Sequence, residues 1–487
     1  MNDSKLEPTG IDRQYDAPSF KKLVAMSVGM IIWFMIFTAM SRIQLYALVV
    51  LQLDILLVTI FVLTFTIVDI VNDPIEARIS DKTTKFTKRF GKRWMLILIG
   101  DVGMIIFLIL MFLPWQLKPG GGLADPGMTI YVVIWIALTL SIFDVFTTFQ
   151  EMNEWATKND LFRDQETRRR MALLEAFGAN LIGLILAILM IPLLLSYFKA
   201  FDAEGKVANP NAFFYMALIV ALIYAIGLPI KMYGYWEPKE MRAFRAEFDE
   251  KIERPPFFKV VKRALSDKNW IAFMITSLQW AILNRVWIVG IDLWIIHGLG
   301  ADIAVSIFPQ LGIILGMFIF GVIAYWILKK KGSKNTFLIG IAISCVFFFL
   351  AMFTTNILLF SLCAFLAGGG VGIQNAARSV FRLEALDDSI LKHGTREEAQ
   401  YNSVNGVIRS FSTAIQIAIL LLITIAFGYD PTLGTGNTDL AKFGLLFQIT
   451  GALSILCLIT GILFWKLFDI TPDKAEHLKE SLLKLGR

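Results

Sequence analysis

About twelve apolar stretches, each long enough to cross roughly 30 Å of hydrocarbon, constrain the fold of this chain more than any other feature. Approximate spans are 22–46, 49–76, 94–115, 129–153, 171–197, 211–233, 270–296, 302–328, 336–353, 357–380, 402–428 and 443–467. The composition agrees, because 56% of the 487 residues are hydrophobic and only 18% are charged. We therefore predict a polytopic helical membrane protein rather than a soluble one.

Lys and Arg collect in alternate connections between these spans. The segments rich in them are 78–93, 158–170, 231–268 and 329–334, whereas those that carry few are 116–128, 198–210 and 428–442. Positive loops stay in the cytoplasm, so we predict an even number of crossings with both termini cytoplasmic, in the plasma or bacterial inner membrane. The net charge of +6 is then a topology signal, and no nucleic-acid partner is expected.

The longest polar stretch, 235–269, falls after the sixth span and divides the chain into two halves. We predict an all-α protein with twelve transmembrane helices in two six-helix bundles, the major facilitator fold. The predicted divisions are a cytoplasmic tail at 1–21, bundles at 22–233 and 270–468, a cytoplasmic linker at 234–269 and a second tail at 469–487. In this architecture the substrate binds between the halves, near mid-membrane.

The stretch "TIVDIVNDPIEAR" (66–78) places Asp69 and Asp73 one helical turn apart inside an apolar span. Two carboxylates there repel each other and lose hydration, so a cation or a proton must join them. Pro74 frees a backbone carbonyl, and the Asn72 amide adds another oxygen, which suits Na⁺. The alternative is that these acids cap the helix end or pair with the basic loop that follows.

The segment "DIVNDPIEARISDKTTKFTKRFGKRW" (69–94) resembles the signature of the glycoside-pentoside-hexuronide:cation symporters, the melibiose-permease type of major facilitator protein. Weaker similarity continues through "IFDV" (142–145), "DQETRRR" (164–170) and "LEALDDSILKHGTREEAQYNSVNGVIRSF" (383–411). The resemblance implies that Asp69 and Asp73 bind Na⁺, Li⁺ or H⁺ and that an acid on the fourth helix contributes to substrate recognition close to that site.

The remaining family positions divide into matches and departures. Asp144 matches the acid of the fourth helix, and Arg409 falls on the family's basic residue of the eleventh helix. The departures are Thr148, where the family has a Trp, Ala176, where it has an Arg, and the stretch 25–37, which lacks the family's acid. The pattern is that of the family's coupling residues joined to a different substrate pocket.

Further polar residues within the spans are candidates for lining that pocket. Intramembrane ionisable residues usually face the bundle interior, and Arg285 and Asp292 share a helix face. The alternative for these two is an internal ion pair or an Arg that extends toward the interface. The candidate substrate residues are Asp144, Thr148, Glu151, Glu175, Asn180, Arg285, Asp292 and Arg409, and the cation residues are Asp69, Asn72, Asp73 and Asp144.

We therefore predict a secondary transporter that couples Na⁺ or H⁺ entry to movement of a small organic solute, a glycoside or related compound, and not an enzyme. Asp81, Arg89 and Glu384 are expected to exchange salt bridges as a cytoplasmic gate. The alternatives are a cation-coupled lysolipid or amphiphile carrier and, outside transport, a lipid scramblase or a substrate-sensing receptor. No cofactor is expected besides the coupling ion, and we expect a monomer.

Overall fold

The computed structural model describes the backbone of residues 18–82, 87–91, 93–161, 167, 170–171, 174–175, 181–239, 257–393 and 398–484. Side chains at 73–82, 87–88, 159–160, 257–260, 393, 398–400, 403 and 479–484 lie outside the described set. The described residues are almost entirely helical, and their few β-bridges are isolated ones in the connections near Gly120 and Val207.

Twelve helices form the apolar part of the described chain. They are α1 (Phe20–Met40), α2 (Ile55–Lys82), α3 (Trp94–Met111), α4 (Thr129–Leu161), α5 (Gly183–Tyr197), α6 (Ala212–Gly234), α7 (Lys268–Leu293), α8 (Ile307–Ala351), α9 (Ile357–His393), α10 (Glu398–Phe427), α11 (Asp439–Ile449) and α12 (Gly451–Leu467). Further helical segments cover Ile43–Leu45, Tyr46–Val50, Thr87–Phe90, Pro126–Met128, Phe257–Ala264, Trp294–Gly298, Ile303–Ser306, Pro431–Gly436 and Pro472–Lys484.

Among the described residues, ten helical segments are long and apolar enough to cross a membrane. One of them, Ile303–Ala351, is 49 residues long and is broken at Gly332, whose φ of 73° a helix does not allow. Counting its two limbs separately and adding the shorter apolar helix α5 gives the twelve crossings that the sequence predicts. The last crossing is shared by α11 and α12, which meet at Thr450.

Glycines of α9 pack against both limbs of α8. A Cβ on Gly372 would collide with the backbone of Met317 in the first limb. A Cβ on Gly370 would collide with Ser344 in the second limb. The glycine-rich run 368–372 therefore lets α9 lie directly against both limbs, which is a packing role.

The first helix of each half is extended in the same way. Tyr46–Val50 and Trp294–Gly298 are both five-residue π-helical turns, and each leads into a similar pentapeptide, "LQLDI" (51–55) or "LGADI" (299–303). The second residue of each pentapeptide has a positive φ, and the aspartate of each caps the helix that follows. The two halves thus repeat a local structure at equivalent positions.

A buried charge cluster ties three helices of the first half together. The Lys231 ammonium of α6 lies 2.6 Å from the Asp101 carboxylate of α3 and 2.5 Å from the Glu154 carboxylate of α4. Tyr224 donates a hydrogen bond to Asp101 at 2.5 Å, and Tyr235 donates one to Glu154 at 2.8 Å. Because Lys231 and Asp101 are fully buried, each ion depends on its partners to replace lost hydration.

Replacing Lys231 by Met should destabilise the protein by about 3–5 kcal/mol, because two buried carboxylates lose their shared cation. Thermal unfolding of the purified protein measures the effect. Adding Asp101→Asn and Glu154→Gln to the same chain should recover much of the loss, since the uncompensated charges are then gone. The matched control is Lys206→Met, whose exposed pair with Glu204 should matter little. Equal stability of Lys231→Met and the natural chain would contradict this role.

Candidate functional site

The predicted cation site lies on α2, where Asp69 and Asn72 are both half-buried. The Asn72 side-chain nitrogen is buried and has no hydrogen-bond partner among the described residues. The backbone of Asp73 and Pro74 continues α2, but the Asp73 side chain lies outside the described set. This part of an otherwise apolar helix therefore carries a carboxylate and an amide with oxygen atoms that could bind a hard cation.

Three predicted substrate residues, Asp144, Thr148 and Glu151, recur at helical spacing on α4 and are all half-buried. Asp144 interacts electrostatically with Arg285, and so does Asp69. The two acids belong to helices of the first half, whereas Arg285 belongs to α7 of the second half. Acidic side chains of one half therefore lie within electrostatic range of a basic side chain of the other.

Arg285 is held in place by the second half. Its Nε donates a hydrogen bond to the Ser412 hydroxyl of α10 at 3.0 Å. Arg409, on the same helix as Ser412, is exposed, and its guanidinium carbon lies 5.5 Å from the centroid of the Trp280 ring. Arg285 and Arg409 also interact electrostatically. The two arginines and the two acids of the first half therefore belong to one central group of charges.

Asp292 lies apart from this group and joins the two halves directly. Its carboxylate is 2.8 Å from the Arg42 guanidinium, just after α1, and both side chains are only 1% exposed. Gln44 and Gln416 exchange two hydrogen bonds at 2.9 and 3.1 Å, which also join the halves. The ends of α1 and α7 lie on the face opposite the chain termini, so these contacts close that face beneath the central charges.

One further predicted substrate residue, Glu175, is not part of the central group in the described structure. Glu175 pairs with Lys158 of α4 at 2.7 Å, within the first half. Asn180 lies outside the described residues. A direct role in substrate binding stays a prediction for both.

The predicted gate residues lie near the terminus face, Asp81 at the end of α2, Arg89 in the short helix Thr87–Phe90 and Glu384 in α9. Glu384 accepts a hydrogen bond from Ser333 at 2.5 Å. The exposed Arg89 has its guanidinium carbon 5.1 Å from the centroid of the Phe90 ring. The side chain of Asp81 is outside the described set. The exchange of salt bridges among the three gate residues therefore stays a prediction.

Sequence reasoning missed several charged residues that the structure places at important positions. Arg42, Asp101 and Lys231 form the buried pairs described above, and the guanidinium carbon of Arg378 of α9 lies 6.0 Å from the centroid of the Trp280 ring. All four charged residues lie inside predicted apolar spans. The requirement that an intramembrane charge have a partner or a role is the signal that could have found them.

Neutralising Asp292 should open the face that Arg42 and Asp292 close, because Asp292→Asn leaves a buried guanidinium without its counter-charge. The distance between spin labels at Ala124 and Thr355, exposed on that face in the first and second halves, measures this in a cysteine-free background. We expect a longer-distance population to grow in Asp292→Asn. Asp302→Asn, an exposed helix cap on the same face, is the control and should leave the distribution unchanged. If the natural chain, Asp292→Asn and Asp302→Asn give identical distance distributions, Asp292 does not help to close that face.

Comparison with solved structures places this geometry in a known fold. A D-xylose-proton symporter superposes with a TM-score of 0.61 at 15% identity, covering 92% of this chain and 97% of that one. The inward-open xylose transporter XylE from E. coli gives 0.59 at 14% identity, covering 94% and 98%. The nucleoside transporter NupG gives 0.58 at 13% identity, covering 92% and 99%. These likenesses confirm the predicted twelve-helix major facilitator fold.

Sequence comparison gives a relative and a family. The lactose permease of Lactobacillus helveticus is 24% identical over 393 residues, which cover 76% of this chain and 56% of the permease. The match thus spans little more than half the length of that curated relative. A family model described as MFS/sugar transport protein matches residues 24–472. The family is one of transport proteins rather than enzymes, which is the class that the sequence predicts, and the chain belongs to this MFS/sugar transport protein family.

Proposed function

We propose that the chain is a symporter that couples a cation gradient to the movement of a small organic solute by alternating access. The observation that carries the proposal is the arrangement of Arg285 in the second half against Asp69 and Asp144 in the first. A membrane-embedded acid site that faces a fixed cation can exchange that cation for a mobile one. The family match and the likeness to a D-xylose-proton symporter support the same class of function.

The coupling follows from charge balance at the central site. With no coupling ion bound, Arg285 attracts both Asp69 and Asp144 across the two halves. When Na⁺ or H⁺ joins the acids, the attraction that holds Arg285 toward the first half weakens, and the guanidinium becomes available to a substrate. Asp73 and Asn72 are the further oxygen donors that we assign to the ion. Because binding of the ion frees Arg285 to bind the substrate, the ion and the substrate bind cooperatively.

Alternating access then requires the contacts between the halves to separate on one face and form on the other. Arg42–Asp292 is the pair that would separate on the face opposite the termini. We assign Asp81, Arg89 and Glu384 to the gate on the terminus face. From the distribution of Lys and Arg, we place both termini in the cytoplasm and the protein in the cell membrane. We propose in addition that it works as a monomer.

An amphiphile such as a lysolipid is the second candidate substrate. An apolar groove of about 430 Å³ lies between α1 and α5. Its lining is Met35, Leu186, Leu189, Met190, Leu193, Leu194 and Tyr197. Such a lining suits an acyl chain, so a thermal-shift screen for the solute should include lysolipids beside glycosides and uronates, each with and without Na⁺.

Neutralising either central acid should uncouple transport. Asp69→Asn and Asp144→Asn should each lower gradient-driven accumulation in proteoliposomes by at least about tenfold, because the ion loses a carboxylate ligand. Exchange of labelled for unlabelled solute at equal concentrations should be partly kept, since the route remains open. The solute is the best binder from the thermal-shift screen. Asp54→Asn, at an exposed cap at the start of α2, should transport normally. Unchanged gradient-driven uptake in both acid variants would overturn the proposal.

Removing Arg285 should strengthen ion binding, because it takes a competing positive charge away from Asp69 and Asp144. In Arg285→Gln, the ion concentration that gives half of the maximal thermal stabilisation should fall roughly tenfold. Titrating Na⁺ at fixed pH, and varying the pH without Na⁺, shows whether the binding of Na⁺ or of H⁺ becomes tighter in the variant. Lys330→Gln on the exposed surface of α8 is the matched control for the loss of one positive charge. If the half-maximal concentration is unchanged for both Na⁺ and H⁺, Arg285 does not compete with the cation.

A further inference from the structure

Arginines from three helices of the second half lie around one tryptophan. Trp280 of α7 is half-buried, with the Arg409 guanidinium carbon 5.5 Å and the Arg378 guanidinium carbon 6.0 Å from its ring centroid. Arg285 lies on α7 little more than one turn beyond Trp280 and interacts electrostatically with Arg409. Arg378 and Arg409 also interact electrostatically. We call Trp280, Arg285, Arg378 and Arg409 the arginine cluster.

The cluster has more positive charge than the described residues around it balance. Arg378 and Arg409 form no ion pair with any described carboxylate. The described hydrogen-bond partners of the cluster are neutral: Arg378 donates to the Asn375 amide at 2.6 Å, and Arg285 donates to Ser412. A tryptophan ring attracts a cation but does not neutralise it. Because guanidinium groups stay protonated at neutral pH, losing a proton does not relieve the mutual repulsion.

Several donors of the cluster also lack acceptors. Nε and Nη2 of Arg378 and Nε1 of Trp280 are buried and have no hydrogen-bond partner among the described residues. Buried donors without acceptors are unfavourable, and these belong to side chains around a single ring. A ligand that satisfies them must bring acceptor oxygens, and one that also balances the charge must bring a negative charge.

We propose that the arginine cluster binds an oxyanion carried by the transported solute, so that the substrate is an organic anion rather than a neutral glycoside. This inference rests on the proposed transport function and names its substrate class. A carboxylate or sulfate offers two or three oxygens that match the guanidinium fork, and Arg378 and Arg409 hold it from two helices. Arg285 completes the set once the coupling ion has taken its place beside Asp69 and Asp144.

A neutral sugar would leave the charge of the cluster as it stands. Its hydroxyls can accept hydrogen bonds, but they carry no charge to offset two guanidinium groups beside one ring. A purely structural role fits poorly, because the buried arginine that has such a role, Arg42, has its carboxylate partner 2.8 Å away. Arg42 has a carboxylate partner, whereas Arg378 has none among the described residues, and this contrast points to an anionic ligand.

The test compares charged sugar derivatives with a neutral counterpart on the purified full-length chain. Methyl β-D-glucuronide, galactose 6-sulfate and methyl β-D-glucoside are the probes, and thermal shift and calorimetry are the readouts. We expect at least one anionic probe to bind at least about tenfold more tightly than the glucoside, and to lose that advantage in Arg378→Gln. Carboxylate and sulfate are told apart by which of the two probes binds. Arg382→Gln, exposed one turn further along α9, is the matched control.

The stability of the ligand-free protein provides a second readout. If Arg378 and Arg409 repel each other without an anion, Arg378→Gln should melt at the same temperature as the natural chain or higher, whereas loss of a structural arginine would lower the melting temperature. The absence of any preference for the anionic probes over the glucoside, or anion binding that is unchanged in Arg378→Gln, overturns the inference. Gradient-driven uptake of a neutral glycoside by both the natural chain and Arg378→Gln would leave the transport function standing while excluding the anionic substrate.

Discussion

An ionised side chain inside a membrane-embedded bundle is stable only where something else replaces its hydration, and this constraint organises the structure. Two carboxylates replace the hydration of Lys231, and one carboxylate replaces that of Arg42. For Arg285, acids from the opposite half and a hydroxyl from its own half do the same. The way each charge is compensated therefore shows what the surrounding helices are free to do.

Charges paired within one half hold that half rigid. The cluster around Lys231 joins α3, α4 and α6, so these helices move together. Charges paired between the halves hold one conformation, because the Arg42–Asp292 contact exists only while the two halves meet on the face opposite the termini. Charges that the described residues leave uncompensated, such as Arg378, are the ones that we assign to a mobile partner. The same electrostatic requirement thus gives rigidity, closure and binding at three places in one bundle.

The fold and part of the site follow from the sequence, because both depend on local periodicity. Apolar length predicts twelve crossings, and helical spacing puts Asp144 and Thr148 on one face of α4. The partners of these residues depend on which helices become neighbours, and periodicity does not contain that information. The sequence predicts that Arg285 faces inward, but its opposition to the acids of the first half requires the assembled halves. The surroundings of Arg378 escape the sequence analysis in the same way, since its neighbour Trp280 is on another helix.

The repeated π-helical turns after α1 and α7 have a consequence for the ion pair beside them. When the two turns are aligned, Asp292 corresponds to Gln44 and Arg42 corresponds to Gly290. The first half therefore contributes only the positive charge of this pair, and the second half contributes only the negative one. Had both halves kept an aspartate or an arginine at these equivalent positions, like charges would lie close together in a buried place. The contact that closes the halves is thus a local break in the internal symmetry of the chain.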